Sequence, residues 1–171
     1  NIVHTGDFFA KAKELKDAGR LKDAVDMYAQ VPVPPSPLQA ETFIDARFSM
    51  GMICLDELKD YACAVKAFRS VVDWDDKYAL AYFNLGLAYY QERRLESALE
   101  QFSKAYRYKR FIPDDRYPLA VNDILFYQGM CLQKLYYKTV GSKKETYKMR
   151  ACRKWNEYLD YYKDLAPEIK T

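Results

Sequence analysis

The feature that most constrains this chain is a recurrence: Ala64, Phe68 and Val71 stand 34 residues before Ala98, Phe102 and Ala105. A period of that length is one supersecondary unit repeated. A unit so short cannot bury its own apolar face, so neighbouring copies must share a core. Within each copy the small and apolar residues fall at i, i+3 and i+4, the spacing of one helix face. Upstream the pattern is readable as Phe8, Ala12 and Leu15, a turn at Gly19, then Leu21, Ala24, Tyr28 and Val31. Gly51 lies 35 residues before Gly86, so the turn around Leu58–Asp60 carries one residue more than its successor. Downstream, Leu125, Gly129 and Leu132 mark one helix of a fourth unit, and Ala151, Trp155, Tyr158 and Leu159 the next. From Gly129 to Ala151 is 22 residues, against 12 from Gly86 to Ala98, so this unit needs longer helices or a larger loop near Thr139–Lys144.

Prolines punctuate the repeats. The run VPVPPSP at Val31–Pro37 stops a helix, because proline lacks the amide donor and clashes with the preceding turn. A P-x-x-P run is also an extended ligand for aromatic grooves, but its place at a repeat junction favours a structural connector. Pro113–Pro118 lengthens a second connection. Leu165 and Ala166 are predicted to close the last helix, since Pro167 disfavours helical geometry in the residue before it.

The segment AYFNLGLAYYQERRLESALEQFSKAYRYKR, ending at Arg110, resembles the tetratricopeptide repeat family. Tyr82, Leu85, Gly86 and Tyr89 occupy the signature positions of the first helix, and Leu95, Ala98, Phe102 and Ala105 those of the second. Gly86 and Ala98 let the paired helices approach closely while Leu85, Tyr89 and Phe102 fill the seam. The resemblance implies an all-α chain, a right-handed α-solenoid of about four antiparallel helix pairs with a longer C-terminal helix. The resemblance implies a single tetratricopeptide-like domain over 1–171, with repeats near 5–38, 41–76, 78–112 and 119–166.

The resemblance also implies a concave groove lined by the first helices. Its fifth position is Phe9, Phe48, Phe83 and Phe126, one phenylalanine per repeat. Four residues on come Lys13, Met52, Leu87 and Met130, and beyond them Lys16, Leu55, Tyr90 and Gln133. The expected partner-binding residues are therefore Phe9, Phe48, Met52, Leu55, Phe83, Leu87, Tyr90, Phe126 and Met130. A surface of this kind suits a protein or peptide partner with apolar anchors, an amphipathic helix or an extended segment, and methionines repack readily around different shapes. Core packing competes for the same phenylalanines, and the chain itself, a larger parent or a second copy in a homo-oligomer are alternative occupants. The family's carboxylate clamp for acidic chaperone tails is not matched: Phe9, Lys13, Phe48 and Met52 stand where lysines and asparagines are required, and Asn84 alone holds no carboxylate. Tetratricopeptide-type secretion chaperones are an analogy at the level of fold.

Charge and composition bound the remaining classes. Residues 1–99 carry 12 Lys/Arg against 15 Asp/Glu, and residues 100–171 carry 15 against 9. Lys143, Lys144, Arg150 and Lys154 form an expected basic patch for an acidic surface or nucleic acid. The stripe Tyr147, Ala151, Trp155, Tyr158 and Tyr162 reads instead as the packed face of a last helix, which argues against nucleic acid. His4 is the only histidine and no glycine-rich phosphate loop occurs, so the chain is expected to be no enzyme and to need no cofactor. The acid pairs Asp75–Asp76 and Asp114–Asp115 are expected at helix ends as caps. Cys54, Cys63, Cys131 and Cys152 form no C-x-x-C pair, are expected as thiols within helices rather than metal ligands, and point to a reducing compartment such as the cytoplasm. No apolar run is long enough to span a bilayer, and a chain opening on Asn1 rather than Met leaves an exported mature chain or a larger parent open.

Overall fold

The computed structural model describes residues 5–169, so His4 lies outside it, and in these residues the apolar periodicity becomes eight α-helices with no strand. They are α1 (Thr5–Asp17), α2 (Leu21–Ala29), α3 (Glu41–Met52), α4 (Tyr61–Trp74), α5 (Ala79–Gln91), α6 (Leu95–Arg107), α7 (Tyr117–Lys138) and α8 (Ser142–Ile169). Consecutive helices pair as α1 with α2, α3 with α4, α5 with α6 and α7 with α8. The chain divides between Lys77 and Tyr78 into two units, each holding two of these antiparallel pairs. The extra length of the fourth pair lies in its helices, 22 and 28 residues long, and not in its loop. Pro167 does not close α8, which continues to Ile169. So near a helix end, the missing amide removes one ladder bond without breaking a long helix.

Every pair is closed by one packing device. A Cβ built on Gly51 would meet the Phe68 ring at 2.7 Å, one on Gly86 the Phe102 ring at 2.6 Å, and one on Gly129 the Trp155 ring at 2.9 Å. An aromatic from the second helix therefore rests directly on the backbone of the first. In the first pair Ala12 and Tyr28, both buried, take the corresponding places. Three residues before each small residue stands a phenylalanine whose ring meets that same aromatic: Phe9 on Tyr28 at 5.5 Å, Phe48 on Phe68 at 5.5 Å, Phe83 on Phe102 at 5.7 Å and Phe126 on Trp155 at 5.6 Å. Edge and tilted geometries of this kind add about 0.5–1.5 kcal/mol beyond the area buried.

Three of the four intra-pair turns are tight because one residue takes a left-handed φ: Gly19 (73°), Arg93 (61°) and Gly141 (75°). Glycine adopts this conformation without the Cβ penalty that arginine carries. The second pair solves the same turn with one residue more. After α3 the chain passes into a π-helical turn, Ile53–Glu57, in which Leu58 N–H donates to Ile53 O at 3.0 Å and Asp60 N–H to Cys54 O at 2.8 Å, with Lys59 left-handed at 54°. The residue in excess near Leu58–Asp60 is absorbed here. It shifts the following side chains by up to a residue step, about 100° around the axis. Asp60 then caps α4, its Oδ1 accepting from Cys63 N–H at 3.0 Å. The expected caps do not form in that way: Asp75 Oδ1 accepts from Lys77 N–H at 3.0 Å, while Tyr78 and Arg116, the cap residues of α5 and α7, make no side-chain capping bond.

The π turn also overturns two of the expected thiols. Cys54 and Cys63 are joined as a disulfide with a Cα–Cα separation of 5.8 Å. Widening the last turn of α3 swings Cys54 toward the start of α4, a juxtaposition that regular helices on both sides would not produce.

Within each unit a polar contact ties one pair to the next. In the first, the Arg47 guanidinium on α3 donates from Nη1 to Tyr28 O at 2.8 Å and from Nη2 to Ala29 O at 3.2 Å and Val31 O at 3.3 Å, and lies 4.5 Å from the Phe43 ring centroid. A cation here satisfies the orphan carbonyls at the end of α2 and complements its dipole. In the second, buried Gln128 on α7 donates from Nε2 to Ser103 Oγ on α6 at 3.4 Å, and Ser103 Oγ donates to Leu99 O at 2.8 Å.

Glycine to alanine inside a helix ordinarily gains about 1 kcal/mol of propensity, whereas forcing a methyl into a packed core costs about 1–3 kcal/mol. At Gly86 the second effect wins, because Phe102 is fully buried and held by Phe83 and so has nowhere to retreat. Gly86→Ala and Gly129→Ala are expected to lower the urea midpoint. Gly6→Ala, where a Cβ meets nothing within 4 Å, is expected to leave it unchanged or raise it.

Candidate functional site

The candidate face of the second unit is built by α5 and α7. α5 is apolar nearly all round, so after burying Ala81, Tyr82, Leu85, Ala88 and Tyr89 it still presents Phe83, Leu87 and Tyr90 half-buried on one side. α7 contributes Phe126 and Met130, also half-buried, and between them Tyr127. The Tyr127 ring lies 5.9 Å from Phe83, 5.5 Å from Tyr90, 5.5 Å from Phe102 and 5.4 Å from Phe126. It wedges between the pairs and joins three of the expected residues into one aromatic surface. Phe126 meets Tyr158 of α8 at 5.7 Å as well.

Asp123 lies one turn before Tyr127 on α7. Although the side chain reaches solvent, partial desolvation raises its carboxyl above the usual range, with Asn122 opposing through a hydrogen bond. Burial likewise raises the Tyr127 phenol, and the charge of Asp123 and then Tyr90 add to it. Neither residue was singled out by sequence. In a run of adjacent aromatics such as Phe126–Tyr127, the helical period alone does not say which ring bridges to the neighbouring pair.

In the first unit the expected residues are arranged differently. Phe9 and Phe48 are half-buried against the aromatics of their own pairs, and Met52 is half-buried on α3. Leu55 is only 5 % exposed and belongs to the core rather than to a surface. It sits inside the π turn, where the altered winding carries it inward. Leu55 is therefore a core residue and no groove position.

The basic patch divides. Lys154 Nζ pairs with Glu157 at 2.8 Å and lies 4.8 Å from the Tyr106 ring centroid, while Lys144 Nζ lies 5.0 Å from that of Tyr136. Lys143 and Arg150 are exposed. The stripe on α8 packs as expected through Ala151, Trp155 and Tyr158, while Tyr162 stacks on Tyr158 and stays 44 % exposed.

Among the described residues no group of three or more His, Cys, Asp or Glu side chains is placed to hold a metal ion. No described helix is long and apolar enough to cross a membrane. Of the free cysteines, Cys131 is buried and its thiol is pushed up to about 12 by desolvation, with Lys134 opposing, whereas Cys152 is exposed on α8.

These helix pairs form an all-α helical-repeat fold of the tetratricopeptide type. Residues 79–111 match the tetratricopeptide repeat model and are one such repeat. The chain shares its fold with a solved structure of the MamA RS-1 ArsTM double mutant, at 19% identity and a TM-score of 0.66, over 94% of this chain and 76% of that one. It is similar also to MamA 41-end from Desulfovibrio magneticus RS-1, at 19% identity and a TM-score of 0.65, over 94% of this chain and 77% of that one. No curated protein matches the sequence.

Without reductant, the folded protein is expected to expose one reactive thiol, Cys152, to a colorimetric thiol reagent. Unfolding in urea should add Cys131, because only the thiolate reacts and burial suppresses it. The remaining two should titrate only after reduction of Cys54–Cys63. A folded protein that releases two or more equivalents would contradict this arrangement.

Proposed function

We propose that the chain is a non-catalytic protein-interaction scaffold whose second unit holds a peptide with apolar anchors, helical or extended, on the α5–α7 face. The tetratricopeptide repeat at 79–111 supports the broader role of a protein-interaction scaffold. The observation that carries the finer reading is the continuous row of half-buried apolar side chains, Phe83, Leu87, Tyr90, Phe126 and Met130, joined by Tyr127. Rings already fixed by core contacts lose little freedom on binding, so the usual cost of ordering an interface is reduced. The phenylalanines are the rigid floor of this face, and Leu87 and Met130 are adaptable contacts upon it. The corresponding surface of the first unit is narrower by Leu55. Nucleic-acid binding through α8 is disfavoured by the engagement of Lys154 with Glu157 and Tyr106.

The test uses peptides selected on the intact chain from a random display library. Selected binders are expected to carry large apolar residues at i, i+3 and i+4 or at alternate positions. Leu87→Asp and Met130→Asp should each weaken them by about 10-fold or more, as loss of a roughly 1.4 kcal/mol contact requires, with the urea midpoint shifting little. Phe83→Ala is the contrasting variant: its contacts with Phe102 and Tyr127 mean that it should lose stability as well as affinity. Binders lacking apolar anchors, or binders that keep full affinity for both aspartate variants, would overturn the reading.

A further inference from the structure

We infer that a cationic cavity at the end of the second unit receives an oxyanion-bearing side chain, a carboxylate cluster or a phosphorylated residue, on the same peptide that the α5–α7 face would hold. The cavity has a volume of about 350 Å³ and is lined by Tyr90, Arg93, Leu95, Lys134, Tyr137 and Lys138. Three cationic residues line it, and no acid does. Among the described residues none of the three is ion-paired, and the nearby Glu92 is directed to Arg94 at 3.5 Å. Glu96, in the first turn of α6, makes no ion pair with them either.

The exposure of one ring supports a ligand at this place. Tyr137 stands 70 % exposed at the rim, although Tyr136 beside it is half-buried. Its exposed ring is available to an incoming group beside the cations. Arg93 holds a left-handed φ of 61° at a turn where the first and fourth pairs use Gly19 and Gly141. The second pair likewise sets a cation, Lys59 at 54°, in this position, so the conformation belongs to the turn, and what it does at Arg93 is bring a cation among the residues that line the cavity.

Lys134 joins the cavity to the proposed binding face. Its ammonium lies 4.4 Å from the Tyr90 ring centroid, and Tyr90 also meets Tyr127. A peptide with its anchors over Leu87 and Met130 would therefore bring its next residues to Tyr90 and the cations. Arginine offers an oxyanion a planar fork and the two lysines offer mobile point charges, a combination that accepts paired carboxylates as well as a phosphoryl group. The inference rests on the scaffold reading for its partner but not for its geometry.

The experiment measures fluorescence anisotropy of labelled probes with the full chain. The probes are hexaglutamate, a phosphoserine hexapeptide, hexalysine, a single-stranded oligothymidine, and hexaglutamate preceded by a leucine-anchored segment. The acidic peptides are expected to bind and hexalysine not. Affinity should fall at least about fivefold with each of Arg93→Asn, Lys134→Met and Lys138→Met, as removal of one charge-assisted contact implies. Asparagine is chosen at 93 because it tolerates a left-handed φ. Lys143→Met with Arg150→Met serves as the control for general attraction, and should have no such effect. Comparison of the first two probes shows whether carboxylates or phosphate are the preferred source. The inference is overturned if no acidic peptide binds, if the control pair weakens binding as much as the cavity variants, or if oligothymidine binds more tightly through the same three residues. If the leucine segment adds affinity that depends on Leu87 while the glutamates add none, the cavity inference fails and the scaffold reading stands. If the glutamates bind through the cavity and the leucines add nothing, the cavity stands and the scaffold reading fails.

Discussion

The structure depends on an aromatic ring resting on bare backbone. In each helix pair a residue with little or no side chain, Ala12, Gly51, Gly86 or Gly129, lies opposite an aromatic of the following helix, Tyr28, Phe68, Phe102 or Trp155. The contact needs both partners. Without the ring the space above the glycine would be a void, and with a larger residue the helices would be driven apart. The phenylalanine three residues earlier closes the third side of the arrangement. It has one edge in the core and the other outside, so the residues that stabilise each pair also shape its surface.

That double use explains the character of the candidate face. Phe83 and Phe126 are fixed from beneath by Phe102 and Trp155, and Tyr127 locks them to Tyr90. Each ring is half-covered by its own repeat and half-open to solvent. Polar contacts serve register rather than adhesion. Arg47 on the carbonyls at the end of α2 and Gln128 on Ser103 each fix how one pair sits against the next within its unit, as buried hydrogen bonds with few alternatives do.

Departures from the regular repeat are concentrated at turns. The π turn at Ile53–Glu57 accommodates one residue in excess, draws Leu55 into the core and brings Cys54 to Cys63. The turn at Arg93 keeps its length but carries a cation where glycine would be easier, beside a cavity whose other cations come from α7. Helix interiors are constrained by the packing of both neighbours, whereas turns answer chiefly to local backbone geometry and so admit new side chains more freely.

The period, the helix pairs and the close approach at Gly86 were legible in the sequence, because each follows from local rules: helical spacing, small residues at close contacts and a recurring interval; that Phe102 is the ring resting on Gly86 was decided by the packing. The residue in excess near Leu58–Asp60 was legible too, but as a longer turn. Only the tertiary structure decided that it is taken up as a change of helical winding, and with that the burial of Leu55 and the pairing of Cys54 with Cys63. The same holds for Lys154 over the Tyr106 ring, for Tyr127 among four rings, and for Arg93, Lys134 and Lys138 around one cavity. A residue's type and spacing state which face of its own helix it occupies. What it meets there is set by the rotation and approach of a second helix, and that information is distributed over contacts far apart in the chain.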